Sequence, residues 1–216
     1  MADIAVVDYG MGNLRSVAKA LERVAPGHRV VVTNDPGAIA AAERVVVPGQ
    51  GAMPDCMKAL DARGLRAAVI DAARHKPWLG LCLGLQMLFE RSEEGDTPGL
   101  GVLPGRVLRF PRAEMVDAAG IRLKVPHMGW NRVRQVRPHP LWAGIPDGER
   151  FYFVHSYYAQ PADGAGHDVV AGVSAYPFDF TCAVARGGLF AVQFHPEKSQ
   201  AAGLRLLTNF AGWTPA

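Results

Sequence analysis

The sequence predicts an α/β protein: a mostly parallel open sheet flanked by helices, with antiparallel strands added in the C-terminal half. Two observations carry that class. Up to Cys82, short valine-rich runs alternate with amphipathic stretches at close intervals, as strands joined through crossover helices do. Beyond about residue 100 the chain turns to short apolar runs split by turn residues, the mark of antiparallel additions. Its 216 residues contain no repeat, low-complexity segment or linker, so residues 1–216 are expected to form a single domain.

Each element follows from local pattern. Residues 3–8 are nearly all apolar, as in a strand covered on both faces. Leu14, Val17, Ala18, Leu21 and Val24 keep spacings of three and four, which predicts a helix. Residues 29–33 and 44–47 read as strands, and 52–73 as a helix interrupted near Gly64. Residues 78–81 form another buried strand, and 85–90 a helix after it. In the second half, 102–108, 131–136, 151–157, 169–175, 179–185 and 189–194 read as short strands. A helix over 201–210 closes the chain, with Leu204, Leu207 and Ala211 on one side.

Composition excludes several classes of function. A net charge of +3 is too slight for nucleic-acid binding, and the alternating arginines of 132–137 read as a solvated strand face. Three scattered cysteines make no disulfide framework, and without CxxC or clustered Cys/His spacing no structural metal is expected. No cofactor is expected either. No basic n-region precedes the first strand, and the apolar run 78–89 is too short for a bilayer and broken by glycines. A cytosolic setting is expected.

The chemistry centres on Leu79-Gly80-Leu81-Cys82-Leu83-Gly84. Glycines two residues either side of Cys82 permit a sharp strand-to-helix turn of the kind that presents a nucleophile above a sheet. Free N–H groups and the dipole at the helix start favour a thiolate there. A cysteine nucleophile needs a base, and the base a group that holds its tautomer. Gln193-Phe194-His195-Pro196-Glu197 supplies both. His195 and Glu197 are two apart at the end of an apolar strand, and an extended segment through Pro196 would point both the same way.

Elbow and His-Pro-Glu, in this order, resemble the class I (triad-type) glutamine amidotransferases over essentially the whole chain. The runs Asp8-Tyr9-Gly10-Met11-Gly12-Asn13-Leu14-Arg15-Ser16, Pro126-His127-Met128-Gly129-Trp130-Asn131, Phe151-Tyr152-Phe153-Val154-His155-Ser156-Tyr157 and His195-Pro196-Glu197-Lys198-Ser199 narrow the match. They are similar to one branch of that family, the glutaminase subunits of imidazole glycerol phosphate synthase. The resemblance implies a Cys82–His195–Glu197 triad that hydrolyses L-glutamine through a thioester. It implies oxyanion donors at Leu83 and in Pro48-Gly49-Gln50-Gly51, with Gly51 the candidate there, and Gln50 stands where the family usually has valine. Gln86, Ser156 and Tyr157 would bind the substrate's polar groups. The implied partner is a cyclase subunit, a (β/α)8 barrel that receives the ammonia, contacted by Asn13, Arg15, Trp130, Tyr152 and Lys198.

Several residues are set aside. Gly10-Met11-Gly12 lacks the third glycine of a dinucleotide fingerprint, Arg15 taking its place. His155 has no carboxylate at the offset a base requires, and His127 with the remaining histidines shows no shared spacing. Cys56 and Cys182 read as core residues. The competing functions are a glutaminase serving another synthase such as pyridoxal phosphate synthase, a free-standing cysteine hydrolase, and a non-catalytic binding protein on the same fold.

Overall fold

The core of the molecule is a run of five parallel strands. A computed structural model describes residues 2–117, 119–162, 164 and 166–215. In chain order its first half comprises β1 (Ala2–Val7), α1 (Leu14–Val24), β2 (His28–Thr33), α2 (Pro36–Ala41), β3 (Arg44–Gly49), α3 (Met53–Ala62), α4 (Arg66–His75), β4 (Trp78–Cys82) and α5 (Leu83–Gln86). Two-residue strands β5 (Arg91–Ser92) and β6 (Thr97–Pro98) then lead to β7 (Gly105–Arg109), β8 (His127–Arg132), β9 (Arg134–Gln135), β10 (Arg150–His155) and β11 (Tyr157–Pro161). The chain closes with α6 (Gly166–Val169), β12 (Val170–Ala175), β13 (Asp179–Arg186), β14 (Leu189–Val192) and α7 (Gln200–Gly212).

The parallel strands lie in the order β2-β1-β3-β4-β14, and β13, β11 and β7 extend that sheet as antiparallel neighbours. Side chains alternate between the two faces. Ala5, Val7, Val45 and Val47 pack with α3 and α4, while Ile4, Val6, Val46, Leu79 and Leu81 pack with α1 and α7. Both faces are covered, so these strands read as continuous apolar runs. Each buried valine, leucine or isoleucine contributes about 1.5–3 kcal/mol against its exposed state.

The expected fold class holds, and the differences lie in the connections. The helix expected over 85–90 ends at Gln86. Met87, Leu88 and Phe89 are wholly buried, and their carbonyls take N–H donors from Leu100, Gly101, Val102 and Leu103 instead of continuing a helix. The strand expected over 131–136 is divided: β8 pairs with β10, whereas β9 pairs with β12. The strand expected over 151–157 breaks at Ser156, where β10 leaves off and β11 joins the main sheet. β8 and β10 therefore form a two-stranded antiparallel ribbon of their own rather than an extension of the sheet. On α7 the buried face is Gly203, Leu206, Leu207, Phe210 and Ala211, shifted from the expected stripe by Leu204. The reading also passed over α2, although Asp35 caps it by accepting from Gly37 N at 2.9 Å and Pro36 opens it.

Candidate active site

The turn from β4 into α5 is built by backbone crowding. Cys82 has φ 54° and ψ −108°, a conformation that L-residues rarely hold and that marks stored strain. The flanking glycines are there for space. A Cβ on Gly84 would lie 2.0 Å from Val47 O, and one on Gly80 would lie 2.6 Å from the Trp78 ring. Because α5 is a single turn, it offers the space above Cys82 its first free N–H groups, Leu83 among them, rather than a long dipole.

His195 and Glu197 meet, though not by the route the spacing suggested. Pro196–Lys198 is a turn of 3-10 helix, so the segment after His195 is not extended. The turn folds Glu197 back until Oε1 stands 2.9 Å from His195 Nδ1. Both side chains are almost fully buried. Burial opposes a charge on His195, but the Cys82 thiol and the Glu197 carboxylate outweigh it and raise the imidazole pKa above its ordinary value. His195 Nε2, Glu197 Oε2 and Gln86 Oε1 are buried with no hydrogen-bond partner among the described residues.

One cavity of about 420 Å³ collects most of the expected residues. Cys82, Gly51, Leu83, Gln86, Ser156, Tyr157, His195 and Lys198 all line it. Gly51 holds φ +97°, and Gln50 O accepts from the Cys56 thiol at 3.3 Å. That bond turns the Gln50 carbonyl toward α3, so the trans peptide directs the Gly51 N–H away from α3. Trp130 and Tyr152 sit opposite each other on the β8–β10 ribbon, ring centroids 6.1 Å apart. Asn13 precedes α1 as its N-cap, and Arg15 is exposed on that helix's first turn. Cys182 is fully buried, and burial pushes the buried Cys56 thiol up to about 11.

The ribbon is fastened to the segment of His195 and approaches the Cys82 elbow. His195 N donates to Tyr152 O at 2.9 Å, Tyr152 N donates to Ser199 Oγ at 3.0 Å, and Ser199 Oγ donates to His195 O at 2.6 Å. Cys82 Sγ lies 3.9 Å from Val154 O.

The sequence reading missed four side chains here. Glu94 lines the cavity while its Oε2 accepts from Met53 N at 2.8 Å; nothing in the local sequence distinguishes it. Gln193, wholly buried, accepts from Gln86 Nε2 at 2.9 Å and donates toward Cys82 Sγ at 3.6 Å. His127 and His155 are bonded to one another at 2.9 Å. Part of the signal was present: His155 occupies an inward position of the apolar strand β10, where an imidazole must find a partner, whereas β8, with only His127 buried, gives none.

The family model for glutamine amidotransferase class-I matches residues 5–212. The chain belongs to that family. It is 67% identical over 215 residues to the imidazole glycerol phosphate synthase subunit HisH of Aromatoleum aromaticum, covering all of both chains. It is likewise 67% identical to the HisH subunit of Thiobacillus denitrificans, covering 99% of this chain and 92% of that one. Among solved structures, a protein described as glutamine amidotransferase superposes with a TM-score of 0.69 at 20% identity, over 97% of this chain and 99% of that one. PurLQS of Thermotoga maritima superposes with a TM-score of 0.68, also at 20% identity, over 98% of each chain. At that identity the likeness speaks for the fold alone. This class I amidotransferase also has no helix, among the described residues, long and apolar enough to cross a membrane.

Proposed function

We propose that Cys82, His195 and Glu197 act together as the catalytic triad of a glutaminase. The chain is the glutaminase subunit of imidazole glycerol phosphate synthase, in histidine biosynthesis. The observation that carries the site assignment is the strained Cys82 elbow opening into the same cavity as an imidazole whose far nitrogen is held by a buried carboxylate. Cys82 attacks the side-chain amide of L-glutamine while His195 takes the thiol proton through Nε2 and returns it to the departing ammonia. Water then hydrolyses the γ-glutamyl thioester to glutamate. Glu197 fixes the Nδ1–H tautomer and stabilises the imidazolium as it forms. The N–H groups of Leu83 and Gly51 serve the oxyanion.

An amino-acid substrate brings an ammonium, a carboxylate and a carboxamide. The cavity lining offers Glu94 and Lys198 as charges of opposite sign, with Ser156 and Tyr157 beside them and the unpartnered Gln86 Oε1 as an acceptor for an N–H. Residues 1–216 act as one glutaminase domain without a cofactor. Its partner is the (β/α)8 cyclase subunit, which receives ammonia and forms imidazole glycerol phosphate. Asn13, Arg15, Trp130, Tyr152 and Lys198 face it. Met128, 61% exposed beside Trp130 at 44%, gives the ribbon an apolar outer face suited to such a contact.

Glutamate release measured with the chain alone, then with the cyclase subunit and its nucleotide ligand, tests this reading. Strong stimulation by the loaded partner is expected. Full activity of the isolated chain would favour a free-standing hydrolase, and no turnover in either state would sink the triad.

A further inference from the structure

Two buried histidines that the amide chemistry leaves unused lie at one wall of the cavity, His155 within its lining and His127 bonded behind it. His127 is 4% exposed and His155 6%. The His127 ring stacks between Tyr176, at 4.0 Å and 22°, and Phe153, at 5.0 Å and 27°. The four ring nitrogens all have a partner. Asn131 Nδ2 lies 3.2 Å from His127 Nε2, His127 Nδ1 lies 2.9 Å from His155 Nε2, and His155 Nδ1 lies 2.8 Å from Tyr157 O.

These contacts admit a single polarity. Asn131 must present its amide nitrogen, because Nδ2 also donates to Ala175 O at 2.9 Å and Oδ1 accepts from Arg132 N at 2.8 Å. His127 Nε2 is therefore an acceptor, and a neutral ring then carries its proton on Nδ1. That proton meets His155 Nε2, which becomes the acceptor of the second ring, so His155 carries its own proton on Nδ1 and donates to Tyr157 O. At the far end a carbonyl can only accept, which closes the chain without conflict. Burial keeps both rings neutral, His127 at about 4 and His155 at about 3.

Tyr157 O also accepts from Gln86 Nε2 at 3.1 Å. The second hydrogen on that nitrogen goes to Gln193 Oε1 at 2.9 Å. Turned over, the Gln86 amide would set its oxygen against two acceptors. Its Oε1 is left as the buried, unpartnered atom.

We propose that His127 and His155 form a positioning relay, which through Tyr157 O holds Gln86 with its oxygen free to accept an N–H of bound glutamine. The inference rests on the glutaminase reading above. The relay touches no reacting atom, and its effect is on substrate binding.

The test uses the complex with its cyclase partner, measuring glutamate release against glutamine concentration and, separately, synthesis fed with ammonia. His127→Leu removes the donor to His155 and frees that ring to change tautomer. It should raise KM for glutamine about tenfold, the loss of one well-placed hydrogen bond, with kcat within about twofold. Ammonia-fed synthesis should not change. His127→Asn places an N–H where Nδ1 stood and should return KM to within about threefold of wild type, whereas His127→Gln, with its donor near the Nε2 position, should not. An unchanged KM in His127→Leu, or equal behaviour of Asn and Gln, would overturn the relay while glutamine turnover by the wild-type complex keeps the glutaminase reading intact. Should His127→Leu fail to fold, nitrogen NMR of the histidine-labelled wild-type chain decides. Both rings should be neutral Nδ1–H tautomers between about pH 8 and about pH 5. An Nε2–H tautomer on either ring overturns the proposal.

Discussion

The Cys82 elbow and the His127–His155 pair belong to the same pocket and are built in opposite ways. The elbow is strained and unfinished: a positive φ, glycines set close against their neighbours, and nearby His195 Nε2 and Gln86 Oε1 with no partner among the described residues. The pair is relaxed and finished, each ring nitrogen paired within 3.2 Å among stacked aromatic rings. An unsatisfied buried group costs free energy, so it persists where a ligand completes it. A fully satisfied group adds nothing to a ligand directly, but it can hold something else in place. In the proposed reading, the elbow is where bonds change and the pair is where geometry is kept.

Four experiments press on that contrast. Cys82→Ala should cost about 10⁵-fold or more in glutamine-dependent turnover, as removal of a nucleophile does. The complex should still use free ammonia at the wild-type rate. Loss of the ammonia-fed reaction in an assembled complex would show that Cys82 supports structure rather than chemistry. Gly84→Ala should destabilise the fold by about 3 kcal/mol or prevent folding, since Val47 O must move from 2.0 Å; denaturant titration reads this. A stability equal to wild type would mean that the turn does not need the space glycine leaves at position 84. Glu197→Gln keeps an acceptor near His195 but removes the charge. Its loss in kcat should be on the order of a hundredfold smaller than that of Cys82→Ala, in line with the lesser cost of an orienting group.

The smallest effect concerns pH. In the unfolded chain an imidazole titrates near its ordinary 6.5, whereas folded His127 titrates at about 4. The unfolded chain therefore takes up the proton first, and the stability from this site is complete above 6.5 and lost as pH falls toward 4. His127→Asn should show a shallower fall of the thermal midpoint across that window. An equally steep fall would mean that the pair is not held neutral by burial.

The elbow was legible in the sequence because its causes are contiguous: two glycines, one cysteine and an apolar strand suffice to bend the chain. The valine-rich strands were legible for a similar reason, since burial on both faces leaves a continuous apolar run. His195 and Glu197 were legible as a pair but for a mistaken reason. An extended His-Pro-Glu was expected, and a 3-10 turn brings them together instead. The helix expected over 85–90 failed because residues 99–103 compete for its carbonyls, a non-local claim that no window of sequence displays. The break at Ser156 was hidden too, because both of its strands are apolar and only their partners differ.

By itself, the sequence determined which residue types are present and which local bends they permit: the fold class, the cysteine turn, the neighbouring His195 and Glu197, and the alternation that buries the parallel strands. Tertiary structure decided which distant groups meet. Gln86 and Gln193 are 107 positions apart, His127 and His155 28 apart, and both meetings depend on which strand lies beside which. Periodicity fixes the face a side chain takes. It says nothing of the neighbour across that face, which is settled by the packing of the whole chain.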